Sequence, residues 1–212
     1  MKKNGFTILE LLVGLVVAML CMIMMLMTFK QISKVSLESS LDADYDTQVQ
    51  LGMLVLQKVI QNAGYGSGQT TDIKVNSTND MLYLRFIPNV NNPLAYTCQA
   101  LGYANDPIKK EYKLFLFENS VNCGASTDLA TIDWTNTNTT KSPLITIKNK
   151  NIEAATPAVF KFYVENLASD KKCTPYGISP DNPSGSTYVT VHAAGQYSSI
   201  KNIQSSICLN NI

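Results

Sequence analysis

The sequence predicts an α+β fold, one very long N-terminal helix followed by an antiparallel β domain. Three observations carry that reading. No proline occurs from Phe6 through Ala63. Apolar residues recur there with helical spacing. Beyond Gly66 the pattern changes to short runs of aromatic and β-branched residues separated by Asn, Ser, Thr, Gly and Pro.

The chain has 212 residues, room for one membrane or targeting element plus one modest domain. Hydrophobic content is 45% and charged content 16%, which excludes a disordered chain. The net charge of +1 provides no global field to recruit nucleic acid or an acidic partner.

The first element is apolar. Lys2 and Lys3 precede a run from Phe6 to Phe29 whose one charge is Glu10. The run is about 24 residues, roughly 36 Å as a helix, against a bilayer core of about 30 Å. The lysines predict a cytoplasmic N-terminus. A cleaved secretory signal does not fit, because the run is long and no A-x-A site follows it. A lipoprotein signal at Cys21 would have Leu20 where a small residue is expected. A plain anchor fits the length but leaves Glu10 unexplained. A carboxylate in a spanning helix costs a few kcal/mol and usually marks a partner.

The stretch "KKNGFTILELLVGLVVAML" resembles the class III signal of type IV prepilins. That family has a short basic leader ending in Gly, then Phe, then Glu at the fifth mature position; Gly5, Phe6 and Glu10 match. The resemblance implies cleavage between Gly5 and Phe6 by a prepilin peptidase, then N-methylation of the Phe6 amine. A residue without a side chain lets a protease approach the backbone closely. The resemblance further implies that Glu10 meets the positive N-terminal amine of a neighbouring subunit. Removing one member of a buried ion pair costs about 3–5 kcal/mol. Domain bounds on this reading are a leader at 1–5, a transmembrane and assembly half-helix at 6–29, an amphipathic half at 30–64, and a β-rich periplasmic domain at 65–212. Unlike many major pilins, the apolar helix lacks a proline; Met27 stands about where one is often seen.

In the second half of the helix, Val49, Met53, Leu56, Ile60 and Ala63 share one face. Gly64 and Gly66 supply a stop, and Gly52 weakens the helix slightly. Strands are expected at "MLYLRFI" (81–87), "YKLFLF" (112–117), "LITIK" (144–148), "VFKFYVE" (159–165) and "TYVTVHA" (187–193). "DIKVNSTNDMLYLRFI" reads as a hairpin with a polar turn. The pilin resemblance implies the helix laid across such a sheet. "LVLQKVIQNAGYGSG" resembles the end of the helix in the PilW family of minor pilins, with Ala63, Gly64, Tyr65 and Gly66 forming the turn.

Cys98, Cys123, Cys173 and Cys208 lie beyond the apolar run, and an even set in an exported domain suggests two disulfides. Of the three possible pairings, Cys98–Cys123 with Cys173–Cys208 closes short loops and is favoured; each such bridge stabilises by roughly 3–4 kcal/mol in the chain-entropy account. Buried reduced thiols are the competing expectation.

Enzyme chemistry is not expected. His192 is the single histidine, so no triad or His-rich metal set can form. The cysteines lack C-x2-C spacing for zinc. "DADYD" (42–46) resembles the start of a calcium loop but lacks its Gly and final Glu, and reads as a solvated helix face. Asp181 and Asn182, in the oxygen-rich "SPDNPSGS", offer ligands for calcium, but a plain polar turn is the expected reading. Trp134 reads as a local hydrophobic anchor. Scattered lysines make nucleic acid an unlikely partner. No cofactor or metal is expected.

The function implied by the resemblance is a minor pilin of the bacterial inner membrane, carried into the pilus on assembly. It would prime polymerisation with other minor pilins, the major pilin and the inner-membrane assembly platform, and so support adhesion, twitching motility or DNA uptake. The alternatives are a pseudopilin of a type II secretion system and a DNA-binding or adhesive tip subunit. The tip-most subunit commonly lacks the carboxylate that Glu10 supplies.

Overall fold

The computed structural model describes residues 7–89, 91–148, 152–153, 155–168, 171–175, 181, 183–194 and 202–212. A long helix, α1 (Ile8–Ile60), precedes two antiparallel sheets in an α+β, pilin-like layout. The chain forms two compact units, Met1–Ala43 and Asp44–Ile212.

In the first unit every described residue is exposed, including the large apolar side chains from Ile8 to Leu41. The helix is long and apolar enough to cross a membrane. Between Leu11 and Phe29 the one hydroxyl side chain is Thr28, which donates to the carbonyls of Met24 and Met25, at 3.1 and 2.9 Å. That internal bond removes the cost of an unsatisfied hydroxyl in an apolar medium.

In the second unit the rest of α1 buries Tyr45, Val49, Gly52, Met53, Leu56 and Ile60. Tyr45, Val49, Met53, Leu56 and Ile60 step by three and four, so they form one stripe, with Gly52 at its side. The stripe joins a single core with residues of both sheets, among them Leu82, Leu84, Leu101, Leu114, Phe160, Phe162, Val189 and Val191. Gly52 is part of this fit. A Cβ there would lie 2.7 Å from Phe160 Cζ and 3.0 Å from Ile145 Cδ1. Gly52→Ala gains about 1 kcal/mol of helix propensity. Overpacking a closed core costs typically 1–3 kcal/mol. The expected outcome is net destabilisation of about 1 kcal/mol, read from the urea midpoint of the detergent-solubilised chain.

The α-helix ends three residues before Ala63, the end expected from sequence. Asn62, Ala63 and Tyr65 instead bond to carbonyls three residues back. Gly64, at φ +71°, turns out to donate its N–H to Arg85 O at 2.9 Å. Ile212 and the Asn211 carbonyl fill the space where a Gly64 Cβ would sit. The Asn211 side chain also donates to Gln61 O at 3.0 Å, capping the helix end.

The first sheet is a five-strand meander, β1 (Ile73–Val75), β2 (Leu82–Phe86), β3 (Thr97–Asp106), β4 (Glu111–Asn119) and β5 (Thr140–Lys148). The β1–β2 hairpin is the expected one. Its turn is fixed by Asn76, whose side chain accepts from the N–H groups of Asp80 and Met81, both at 3.0 Å. Pro143 is accommodated on the edge strand β5, at the register shift opposite Phe115. The second sheet is β6 (Phe160–Asn166), β7 (Thr187–Ala194) and β8 (Asn202–Cys208). Phe162 N bonds Asn79 O at 2.8 Å, and Lys161 Nζ reaches Thr78 O at 2.7 Å, tying this sheet to the β1–β2 turn.

Two strands, β3 and β8, were not among those expected. "TCQALGYAND" contains few β-branched residues, yet it lies between β2 and β4 and buries six residues in succession. Its position in the sheet overrides its local preference.

Disulfides join Cys98 to Cys123 and Cys173 to Cys208. Gly185 pairs with Cys173 across an isolated bridge, and a Cβ on it would run into both sulfurs and Leu209 O. Gly185→Ala is therefore expected to block the Cys173–Cys208 bond while leaving Cys98–Cys123 intact. Alkylation of free thiols followed by intact mass would show two additional labels.

Candidate assembly site

The candidate site is the start of α1. Gly5 and Phe6 lie outside the described residues; Glu10 is the third residue of the helix. Thr7 precedes the helix and caps it. Glu10 N donates to Thr7 Oγ1 at 3.4 Å, and Thr7 N donates back to Glu10 Oε2 at 3.1 Å. The Thr7 hydroxyl also donates to Glu10 Oε2, at 3.1 Å. This is a capping box, in which the side chains at either end of a T-x-x-E stretch satisfy each other's orphan N–H groups. The carboxylate also lies where the positive end of the helix dipole favours it.

This geometry gives Glu10 a second property. Its side chain is held against the first helical turn and not left to rotate freely. Among the described residues no cation pairs with it. An exposed, oriented carboxylate ahead of the uncharged stretch Leu11–Phe29 is suited to receive a cation from another molecule. Sequence reasoning found Glu10 by its isolation but missed Thr7, although the T-x-x-E spacing of Thr7 and Glu10 carries the signal.

The other residues singled out by sequence do not converge. His192 is exposed on β7 and leans on Tyr163, with ring centroids 4.8 Å apart. Asp42 and Asp44 are on an exposed face of α1, and Asp44 accepts from Gln48 at 2.7 Å. Asp181 is in an exposed turn, and Asn182 lies outside the described residues. No group of three metal-ligating side chains is present among the described residues. Trp134 is buried and stacks on Tyr83 at 6.0 Å, in a small second core with Cys98, Ala100, Leu129 and Ile132.

Sequence reasoning also missed a buried ion pair. Arg85 and Asp72 are 2% and 0% exposed, with Nε 2.6 Å from Oδ1. Arg85 Nη1 donates to Gly124 O and Thr127 O at 2.7 and 3.0 Å, and Nη2 to Thr71 Oγ1 at 3.3 Å. The other Asp72 oxygen accepts from the Ser67 hydroxyl and from Gln69 N. The guanidinium also lies 5.8 Å from the centroid of the Tyr96 ring. Nearby, the Lys74 ammonium on Asp128 and the Ala130 N–H hold that exposed carboxyl below the usual range.

Residues 1–26 match the prokaryotic N-terminal methylation motif. No curated protein and no solved structure matches the chain. The motif, followed by a helix long and apolar enough to cross a membrane and a disulfide-bonded β domain, indicates a type IV pilin-like prepilin, a class whose members in general are processed by a prepilin peptidase and assemble with other pilins or pseudopilins.

Proposed function

We propose that this chain is a minor pilin that joins the complex priming type IV pilus assembly. After cleavage at Gly5–Phe6 and methylation of Phe6, α1 remains in the inner membrane with the β domain on the periplasmic side. It then bundles with the helices of other minor pilins, and the major pilin polymerises beneath that complex. Adhesion, twitching motility or DNA uptake follow from the fibre that forms.

The observation that carries the reading is the oriented Glu10 carboxylate, bonded to Thr7 and facing no cation among the described residues. A plain anchor would need at most the cap, which an uncharged Gln could supply, and not the charge. The "NAGYG" turn at the helix end favours a pilus over a secretion machine by its resemblance to minor pilins.

The test is a clean deletion in the native host, with surface pili counted by electron microscopy and secreted enzymes assayed from the medium. Loss of pili with normal secretion supports the proposal. Normal pili with failed secretion would make the chain a pseudopilin.

A further inference from the structure

A cleft of about 510 Å³ opens in the β domain between residues 69–74 and residues 125–129. That volume is within the range of small-ligand sites. Its width is fixed twice. At the floor, Arg85 bonds Thr71 on one wall and, beside the other, the carbonyls of Gly124 and Thr127. At the rim, Lys74 Nζ spans to both carboxylate oxygens of Asp128, at 2.9 and 3.0 Å. Walls held in place before contact reduce the ordering cost of binding.

Charge and hydrogen-bonding capacity narrow the ligand. Arg85 is paired with Asp72 and Lys74 with Asp128, so the charges around the cleft cancel. An anion would meet Asp128, and a cation would meet Lys74 and Arg85. Arg85 is 2% exposed, and its Nε and Nη1 groups are engaged by Asp72, Gly124 and Thr127. Nη2 carries two N–H groups and bonds Thr71 Oγ1 alone among the described residues. One N–H is left over on a guanidinium that is otherwise clamped. A single N–H cannot make the fork that a carboxylate or phosphate takes from arginine. It can serve one neutral oxygen.

Around Arg85, the Thr71 and Ser126 hydroxyls and the Gln69 amide each both donate and accept. Ile73 and Leu129 supply apolar wall between them. An apolar ligand would cover these groups and leave them without partners. A hydroxyl group is the match, because it accepts from Arg85 and donates onward from the same atom.

We infer that this cleft binds a neutral saccharide. One sugar hydroxyl sits on Arg85 Nη2, its neighbours bond Gln69 and Ser126, and a C–H face of the ring lies against Ile73 and Leu129. The site belongs to the β domain and does not rest on the priming role.

The test is saturation-transfer NMR on the full chain, solubilised in lauryldimethylamine oxide because maltoside detergents carry a sugar. The probes are maltose, cellobiose, lactose and N,N′-diacetylchitobiose. Glucuronate and the capped dipeptide N-acetyl-alanyl-alanine amide are the controls. Transfer to at least one disaccharide and to neither control is expected. Ser126→Trp, at an exposed position on the cleft wall, should abolish it. Gln69→Ala, also exposed, should weaken the apparent affinity by about three- to tenfold. Loss in either variant, with an unchanged urea midpoint, supports the site. No transfer to any of the four disaccharides, transfer to glucuronate or the dipeptide instead, or transfer unchanged in both variants overturns it. Loss of pili on deletion bears on priming and not on this cleft.

Discussion

Arg85→Ala is expected to destabilise the β domain by about 3–5 kcal/mol, because it leaves the Asp72 carboxylate buried without its partner. Both side chains are almost fully removed from solvent. The loss also strips hydrogen-bond donors from Gly124 O, Thr127 O and Thr71 Oγ1, so the loops at 69–72 and 124–127 lose their common anchor. Arg85→Lys keeps the charge but not the fork. One ammonium cannot serve Asp72 and two carbonyls in that fixed geometry, and a cost of roughly 1–3 kcal/mol is expected. Replacing both members, Arg85→Met with Asp72→Leu, should recover part of the loss, since no lone charge remains. Recovery stays incomplete because Asp72 also accepts from Ser67 and Gln69. Urea titration of the detergent-solubilised chain, followed by tyrosine and tryptophan fluorescence, measures all three. If Arg85→Ala unfolded at the same midpoint as the unaltered chain, the ion pair would have no structural role.

Why Arg85 escaped the sequence reading is instructive. "MLYLRFI" reads as an alternating strand, with Leu82 and Leu84 inward and Tyr83 and Arg85 outward to solvent. The alternation is real, but the outward face is covered. Leu129, Ile132 and Trp134 fold back over Tyr83 and Cys98 to form the second core. A strand buried on both faces cannot be recognised from its own residues, because the cover comes from about fifty positions later in the chain. The same holds for β3, whose Ala, Gly, Gln and Asn residues are strand-like through their neighbours alone. By contrast, the stripe Val49, Met53, Leu56, Ile60 and Ala63 was legible, since helical spacing is a local property and all five are buried. The apolar helix, the β1–β2 hairpin and the α+β class were legible for the same reason. Only one detail of the helix was not: its end is decided by Arg85 O and by Ile212, which no local pattern contains.

Glu10→Ala is expected to leave the processed chain at normal abundance and to reduce its incorporation into pilus complexes by at least about a hundredfold, the factor that 3–5 kcal/mol of lost pairing implies. The argument separates two roles of the carboxylate. Within the chain, Glu10 closes a capping box with Thr7, whose loss costs about 0.5–2 kcal/mol of helix-end stability. Between chains, it would neutralise the new amine at Phe6 of a neighbour in a medium where an unpaired charge is costly. Glu10→Gln divides these contributions. An amide oxygen still accepts from Thr7 N and can preserve the cap, but it carries no charge to meet an amine. If pairing is the role, Glu10→Gln fails in assembly nearly as badly as Glu10→Ala. If capping is the role, Glu10→Gln assembles almost normally and Thr7→Ala fails instead. Mass spectrometry of the N-terminus gives processing and methylation, and co-purification of membrane complexes gives incorporation. Normal incorporation of both Glu10 variants would remove the pairing role altogether.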